Sequence, residues 1–161
     1  MEEQKEPTRK GHKVISVCVI SRQNVPKYMK IYEENASAYL SGCKDDGLSK
    51  YVEGLLFDSL DYMNMLDSVN KHRDVTNDGS GYLGCFYSTD EVDMFAAVSR
   101  TDLKVVLMMP TGALYARVKL VLSRIQTSLV EAMMNPFLDL ELPVRSRRFE
   151  SHVDTLVRNL E

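Results

Sequence analysis

Residues 82–110, YLGCFYSTDEVDMFAAVSRTDLKVVLMMP, decide the fold. Three apolar runs, at 82–87, 92–99 and 103–109, are separated only by the polar breaks 88–91 and 100–102. Breaks this short imply hairpins, and hence an antiparallel meander that stops at Pro110. FAAV and VVLMM are apolar on consecutive residues. A strand with one wet face alternates, so this sheet is expected to be covered on both sides.

Working towards the N-terminus, 14–20 (VISVCVI) is a short β-branched run and reads as a buried strand. SRQN at 21–24 is a turn-like break. Residues 27–32 (KYMKIY) alternate and form a second strand, with Pro26 suited to a sheet edge. Residues 33–47 read as a polar surface connection. A helix is predicted over 48–69, with Leu48, Tyr51, Val52, Leu55, Leu56, Tyr62, Met63, Leu66 and Val69 on its core side. Asp45 and Asp46 suit its N-terminus, and 72–81 is a loop by composition.

Towards the C-terminus, 113–135 is a helix with Thr111 as its cap. Its apolar stripe is Leu114, Val118, Val121, Leu122, Ile125, Leu129 and Ala132. Pro136 ends it by biasing Asn135 away from helical angles. A last helix over 146–159 has the face Phe149, Val153, Leu156, Val157 and Leu160. The expected order is ββαβββαα. This is an α/β (α+β) fold with a five-stranded, mainly antiparallel sheet, one helix on one face and two on the other. Residues 1–13 carry seven charges and read as a disordered tail, leaving 14–161 as a single domain.

The chain has 161 residues, 44% hydrophobic and 27% charged, with a net charge of -3. That balance argues against nucleic acid as the main partner. No run approaches the ~18–20 apolar residues of a membrane span, and the charged N-terminus lacks the apolar region of a secretory signal. Cys18, Cys43 and Cys85, like His12, His72 and His152, are scattered without metal-ligand spacing. The cysteines read as reduced thiols of an intracellular protein, with Cys85 buried and inert in its strand. GxxxxGK[ST], GxGxxG, GxSxG and HExxH are all missing from the sequence. Carboxylate pairs such as Asp90–Glu91 fall at turns and read as solvated. No active site, cofactor or metal site is expected.

The informative feature is the outer face of the 48–69 helix. Phe57 lies about 180° from the core stripe, Leu60 about 120° and Met65 about 100° on the other flank. Asp61 is four residues from Phe57 and therefore its neighbour. Lys50, Asn64 and Ser68 complete a mixed surface. An outward Phe beside Met, rimmed by charge, has the character of an interface anchor; a singly exposed aromatic is also common and by itself means nothing. Elsewhere, Leu120 and Met134 lie off their helix's stripe and are expected to be covered by the last helix. Asn135-Pro136-Phe137 reads as a helix terminus with Phe137 packed. Arg145, Arg147 and Arg148 read as a solvated helix start, and His152 as a rim residue.

The ordered words ISRQNVPKYMKIY, SLD (59–61), YLGCFYSTDEVDMFAAV, LKVVLMM, MNPF (134–137) and SRRFESHVDTLV resemble the sedlin-like subunits of the TRAPP vesicle-tethering complex, which have a longin-like fold. The resemblance covers roughly 14–160. The tail and the 33–47 and 72–81 segments are longer than is typical there. The resemblance implies a non-catalytic adaptor or assembly subunit in ER–Golgi and Golgi transport, supporting Rab guanine-nucleotide exchange by the complex. Partners would be other TRAPP subunits and, indirectly, a Rab GTPase. The location would be cytoplasmic, with at most peripheral membrane association through the complex. In such subunits the aspartate of SLD is associated with partner binding, and Asp61 matches it. Phe57, Asp61, Asn64, Met65 and Lys50 are thus the expected partner-binding residues. A longin-type regulator of SNAREs is a rival, which would need a following heptad segment and a membrane anchor, neither of which is expected here. A small coat-adaptor subunit is another.

Overall fold

The structure, a computed structural model, describes residues 14–40, 47–72, 81–99, 101–112, 117–139 and 143–160. Five strands form one antiparallel sheet: β1 (Ser16–Ile20), β2 (Pro26–Ile31), β3 (Tyr82–Ser88), β4 (Val92–Val98) and β5 (Lys104–Pro110). Their order across the sheet is β2-β1-β5-β4-β3. The meander 3-4-5 is as expected, and β1 inserts between β2 and β5. The central position of β1 and β5 explains why both are buried at every residue. Pro26 lies on an edge strand, where its missing N–H breaks no ladder bond.

Two of the hairpins turn by the same chemistry. In SRQNV the Ser21 N–H donates to Val25 O (2.9 Å) and the Asn24 N–H to Ser21 O (3.0 Å). In SRTDL the Ser99 N–H donates to Leu103 O (2.9 Å) and the Asp102 N–H to Ser99 O (3.0 Å). Each serine hydroxyl also accepts the N–H four residues on, at 3.2 Å. The left-handed position is taken by Asn24 and Asp102, both at φ 60, the side chains that tolerate it best after glycine. A third constraint sits at Gly81, φ 64, whose carbonyl accepts the Val98 N–H. A Cβ there would lie 1.8 Å from Val98 O, so only glycine fits.

The consecutive apolar residues split by parity between two cores. Val17, Val19, Phe95, Ala97, Val105, Leu107 and Met109 face helices α3 (Val118–Met133) and α4 (Arg147–Leu160). Cys18, Ile20, Val92, Met94, Ala96, Val106 and Met108 face α1 (Glu33–Tyr39) and α2 (Leu48–His72). The registers Cys18↔Val106↔Ala96 and Val17↔Leu107↔Phe95 carry each set across three strands. The sheet is therefore covered on both faces, as its sequence pattern requires.

The layers differ from expectation in one element. Part of the 33–47 connection is helix α1, so the order is ββααβββαα. A seven-residue helix is marginal alone. It persists here because Ala36 and Leu40 are buried in the α2 core and Asn35 Nδ2 donates to Val14 O (2.9 Å). The stripes of α3 and α4 fall as read: Val118, Val121, Leu122, Ile125 and Leu129, and Phe149, Val153, Leu156 and Val157, are buried. Thr111 is not the cap of α3; its hydroxyl donates to Thr89 O (3.1 Å) across the hairpin end, and α3 is described from Val118. Asp45, Asp46, Leu114, Cys43, His12 and the 1–13 tail lie outside the described residues.

Candidate functional site

Helix α2 lies on the sheet through Val52, Leu56, Ser59, Leu60 and Met63, all buried. At 100° per residue these fill an arc of about 100° centred between Leu56 and Met63. The sequence reading placed Leu60 off the core and Tyr62 in it, and both placements are corrected. Leu60 is buried, whereas Tyr62 is exposed and rests its ring 5.6 Å from that of Tyr87 on edge strand β3. Apolar residues flank the stripe on both sides, so periodicity alone leaves the rotation of the helix open by tens of degrees.

With the true centre known, Met65 lies nearly opposite the sheet and Phe57 about 110° from it. Their exposures follow that order, 58% and 50%. Lys50 and Asp61 are exposed on the same arc, so four of the expected partner-binding residues share one outward surface. Asn64 sits at its inner border, half-buried. Its Oδ1 accepts from Lys104 Nζ of β5, which also donates to Asn24 Oδ1 (3.1 Å). Lys104 is buried, and this link pins α2 and the first hairpin to the central strands. Asn64 thereby sets how the outer arc is presented.

Two features of the arc were not singled out from sequence. Asp58, three residues before Asp61, adds a second exposed carboxylate. Gly54 also lies on the arc, at i−3 from Phe57, and a Cβ there would meet nothing within 4 Å. Glycine inside a helix costs about 0.5–1 kcal/mol relative to alanine, and among the described residues no packing contact requires it. The signal in the sequence is a mid-helix glycine on the face that carries Phe57.

The titratable groups elsewhere are tuned for structure. Burial, then the Glu53 charge, pushes the Cys18 thiol up to about 12. Cys85, expected to be buried, is exposed on β3. Its thiol is still held above the usual range, by partial desolvation and the nearby Asp93, and donates to Tyr87 O (3.7 Å). A raised thiol pKa suppresses the thiolate and its nucleophilicity. Asp154 of α4 accepts from Lys30 Nζ and Tyr32 Oη, each at 2.8 Å. Burial pushes its carboxyl up, but those bonds and the Lys30 and Arg158 charges outweigh it and hold it below the usual range. His152 is exposed at the rim of α4, with Nδ1 2.9 Å from Ser128 Oγ. Arg145, Arg147 and Arg148 are exposed around the α4 start, where Ser146 Oγ accepts the Phe149 N–H (3.3 Å). Among the described residues no three His, Cys, Asp or Glu side chains gather as a metal site, and no helix is long and apolar enough to cross a membrane.

Two placements on the other face are corrected. Leu120 and Met134 are exposed, not covered by α4. Phe137 is not packed; it is 94% exposed. The reason is geometric: α4 packs on the buried stripe of α3, which excludes Leu120 and Met134, and at the turn Leu138 rather than Phe137 faces the fold.

A comparison with curated proteins finds no match. The sequence profile described as Sedlin matches residues 19–159, from the first strand to the end of α4. The match thus spans the sheet and both its covering layers, and the chain belongs to the sedlin family of TRAPP-related trafficking subunits.

Proposed function

We propose that this chain is a non-catalytic adaptor that helps assemble or hold a TRAPP complex, supporting Rab guanine-nucleotide exchange by the complex in ER–Golgi and Golgi transport. Residues 14–161 act as one longin-like domain in the cytoplasm, and membrane contact is made through the complex. The observation that supports this reading is the outer arc of α2. Phe57 and Met65 are exposed there beside Asp61 and Lys50, on a helix whose inner face is already satisfied by the sheet. Apolar area supplies the association, and the charges select the partner and its register. Gly54 lets a partner's backbone approach α2 closely between Lys50 and Phe57.

Co-purification with TRAPP subunits from cells tests the reading. Phe57→Ser and Asp61→Tyr should each reduce recovery of a partner subunit while the purified variants melt within a few degrees of the parent. Undiminished recovery for both would remove the arc from the interface, and a large loss of stability in Phe57→Ser would make that residue part of the core.

A further inference from the structure

A second outward feature lies on the opposite face of the sheet, where α3 ends in Met134-Asn135-Pro136-Phe137. The turn is held locally by three bonds. The Phe137 N–H donates to Asn135 Oδ1 (3.0 Å), the Leu138 N–H to Asn135 O (3.0 Å), and the Asn135 N–H to Ala132 O (3.3 Å). Pro136 fixes its own φ, so the backbone of this turn has little freedom left. Its two apolar residues are treated unequally. Leu138 is half-buried and lines a small apolar nook with Val19, Leu129, Met133 and Val144. Phe137, the larger, is 94% exposed, and Met134 before it is 77% exposed.

We infer that this turn is a recognition knob, taken by a partner protein with an apolar pocket sized for one phenyl ring. Leu138 anchors the turn to the fold while Phe137 is held out on a pre-formed backbone, so a partner meets the ring without the entropy of ordering a loop. Asn135 uses its Oδ1 within the turn and retains two amide donors for acceptors on the pocket rim. One Phe and one Met are too small an apolar face to hold a membrane surface, and the exposed Arg145, Arg147 and Arg148 add only a weak attraction to anionic lipid. A pocketed protein is therefore the occupant that the turn fits. This inference does not depend on the α2 arc, which lies across the sheet.

The test uses the full chain and, as probe, a purified domain whose pocket binds Asn-Pro-Phe turn peptides, followed by calorimetry. The parent should bind, a short Asn-Pro-Phe peptide should compete, and Phe137→Ser should weaken binding by about tenfold or more. Asn135→Ala should weaken it less, and both variants should melt within a few degrees of the parent. No binding by the parent, equal binding by Phe137→Ser, or a large fall in melting temperature for that variant would each overturn the inference. So would self-association in sedimentation, or co-sedimentation with anionic phosphatidylserine vesicles, that Phe137→Ser abolishes. Those results would make the occupant a second copy or a lipid surface.

Discussion

The two sides of the sheet are closed by different means. On one side α3 and α4 pack on each other as well as on the strands, and between them they bury Leu122, Ile125, Phe149 and Val153 completely. On the other, among the described residues, α2 lies along the sheet with only short α1 beside it. A helix that shares its layer with a full-length partner uses its apolar residues in two directions. A helix without one has an inner face that the sheet satisfies and an outer face left over. On α2 the exposed outer residues include Phe57 and Met65; in the α3–α4 layer the exposed large apolar residues are Leu120, Val130 and the Met134 and Phe137 of the helix terminus.

The contrast can be broken most forcefully at Phe149, which is buried against Tyr28 with ring centroids 5.1 Å apart. Phe149→Ala should cost about 3–5 kcal/mol in urea unfolding; a loss below about 1 kcal/mol would show that the α3–α4 layer is not the tighter one. Within α2 a pair two residues apart sharpens the point. Met63→Ala should cost about 2–5 kcal/mol, and Met65→Ala no more than about 0.5 kcal/mol. Equal losses would mean that the helix is rotated from its described position.

Gly54→Ala should move stability the other way, raising it by about 0.5–1 kcal/mol in the isolated chain. Recovery of TRAPP subunits should fall in the same variant if Gly54 marks a close approach. Increased stability with unchanged recovery would confine the role of Gly54 to the chain itself.

The smallest effect expected is that of Asp154, which ties β2 to α4. Its carboxyl is more acidic in the folded chain than the ordinary value of 3.8. The stabilisation is therefore complete above that value and lost as pH falls through the lower, folded one. The urea midpoint of the parent should drop more steeply below about pH 4 than that of Asp154→Asn. Parallel curves would show that the Lys30–Asp154–Tyr32 contact contributes nothing measurable.

Much of this architecture is legible in the residue order. The short breaks at 88–91 and 100–102 force hairpins, and the consecutive apolar residues of β4 and β5 demand a core on each side. The stripe of α4 is read correctly to the residue because its apolar positions are few and its other positions polar. On α2 the outward location of Phe57, Asp61 and Met65 is also legible. The core membership of Leu60 rather than Tyr62 is not, because an apolar fringe on both flanks leaves the rotation undetermined. The exposure of Cys85 is not legible either, because strand-like neighbours do not say that β3 lies at a sheet edge.

What the sequence alone determined is periodicity: which residues lie on the same side of a strand or helix follows from backbone repeat and needs no neighbour. Which side meets a neighbour is settled by long-range packing. Helix α1 exists because a core is there to receive Ala36 and Leu40, Asn64 is engaged because Lys104 rises beneath it, and at the turn after α3 Leu138 faces the fold while Phe137 is left exposed. Each outcome depends on long-range contacts, and burial rather than local propensity supplies the free energy that selects among them.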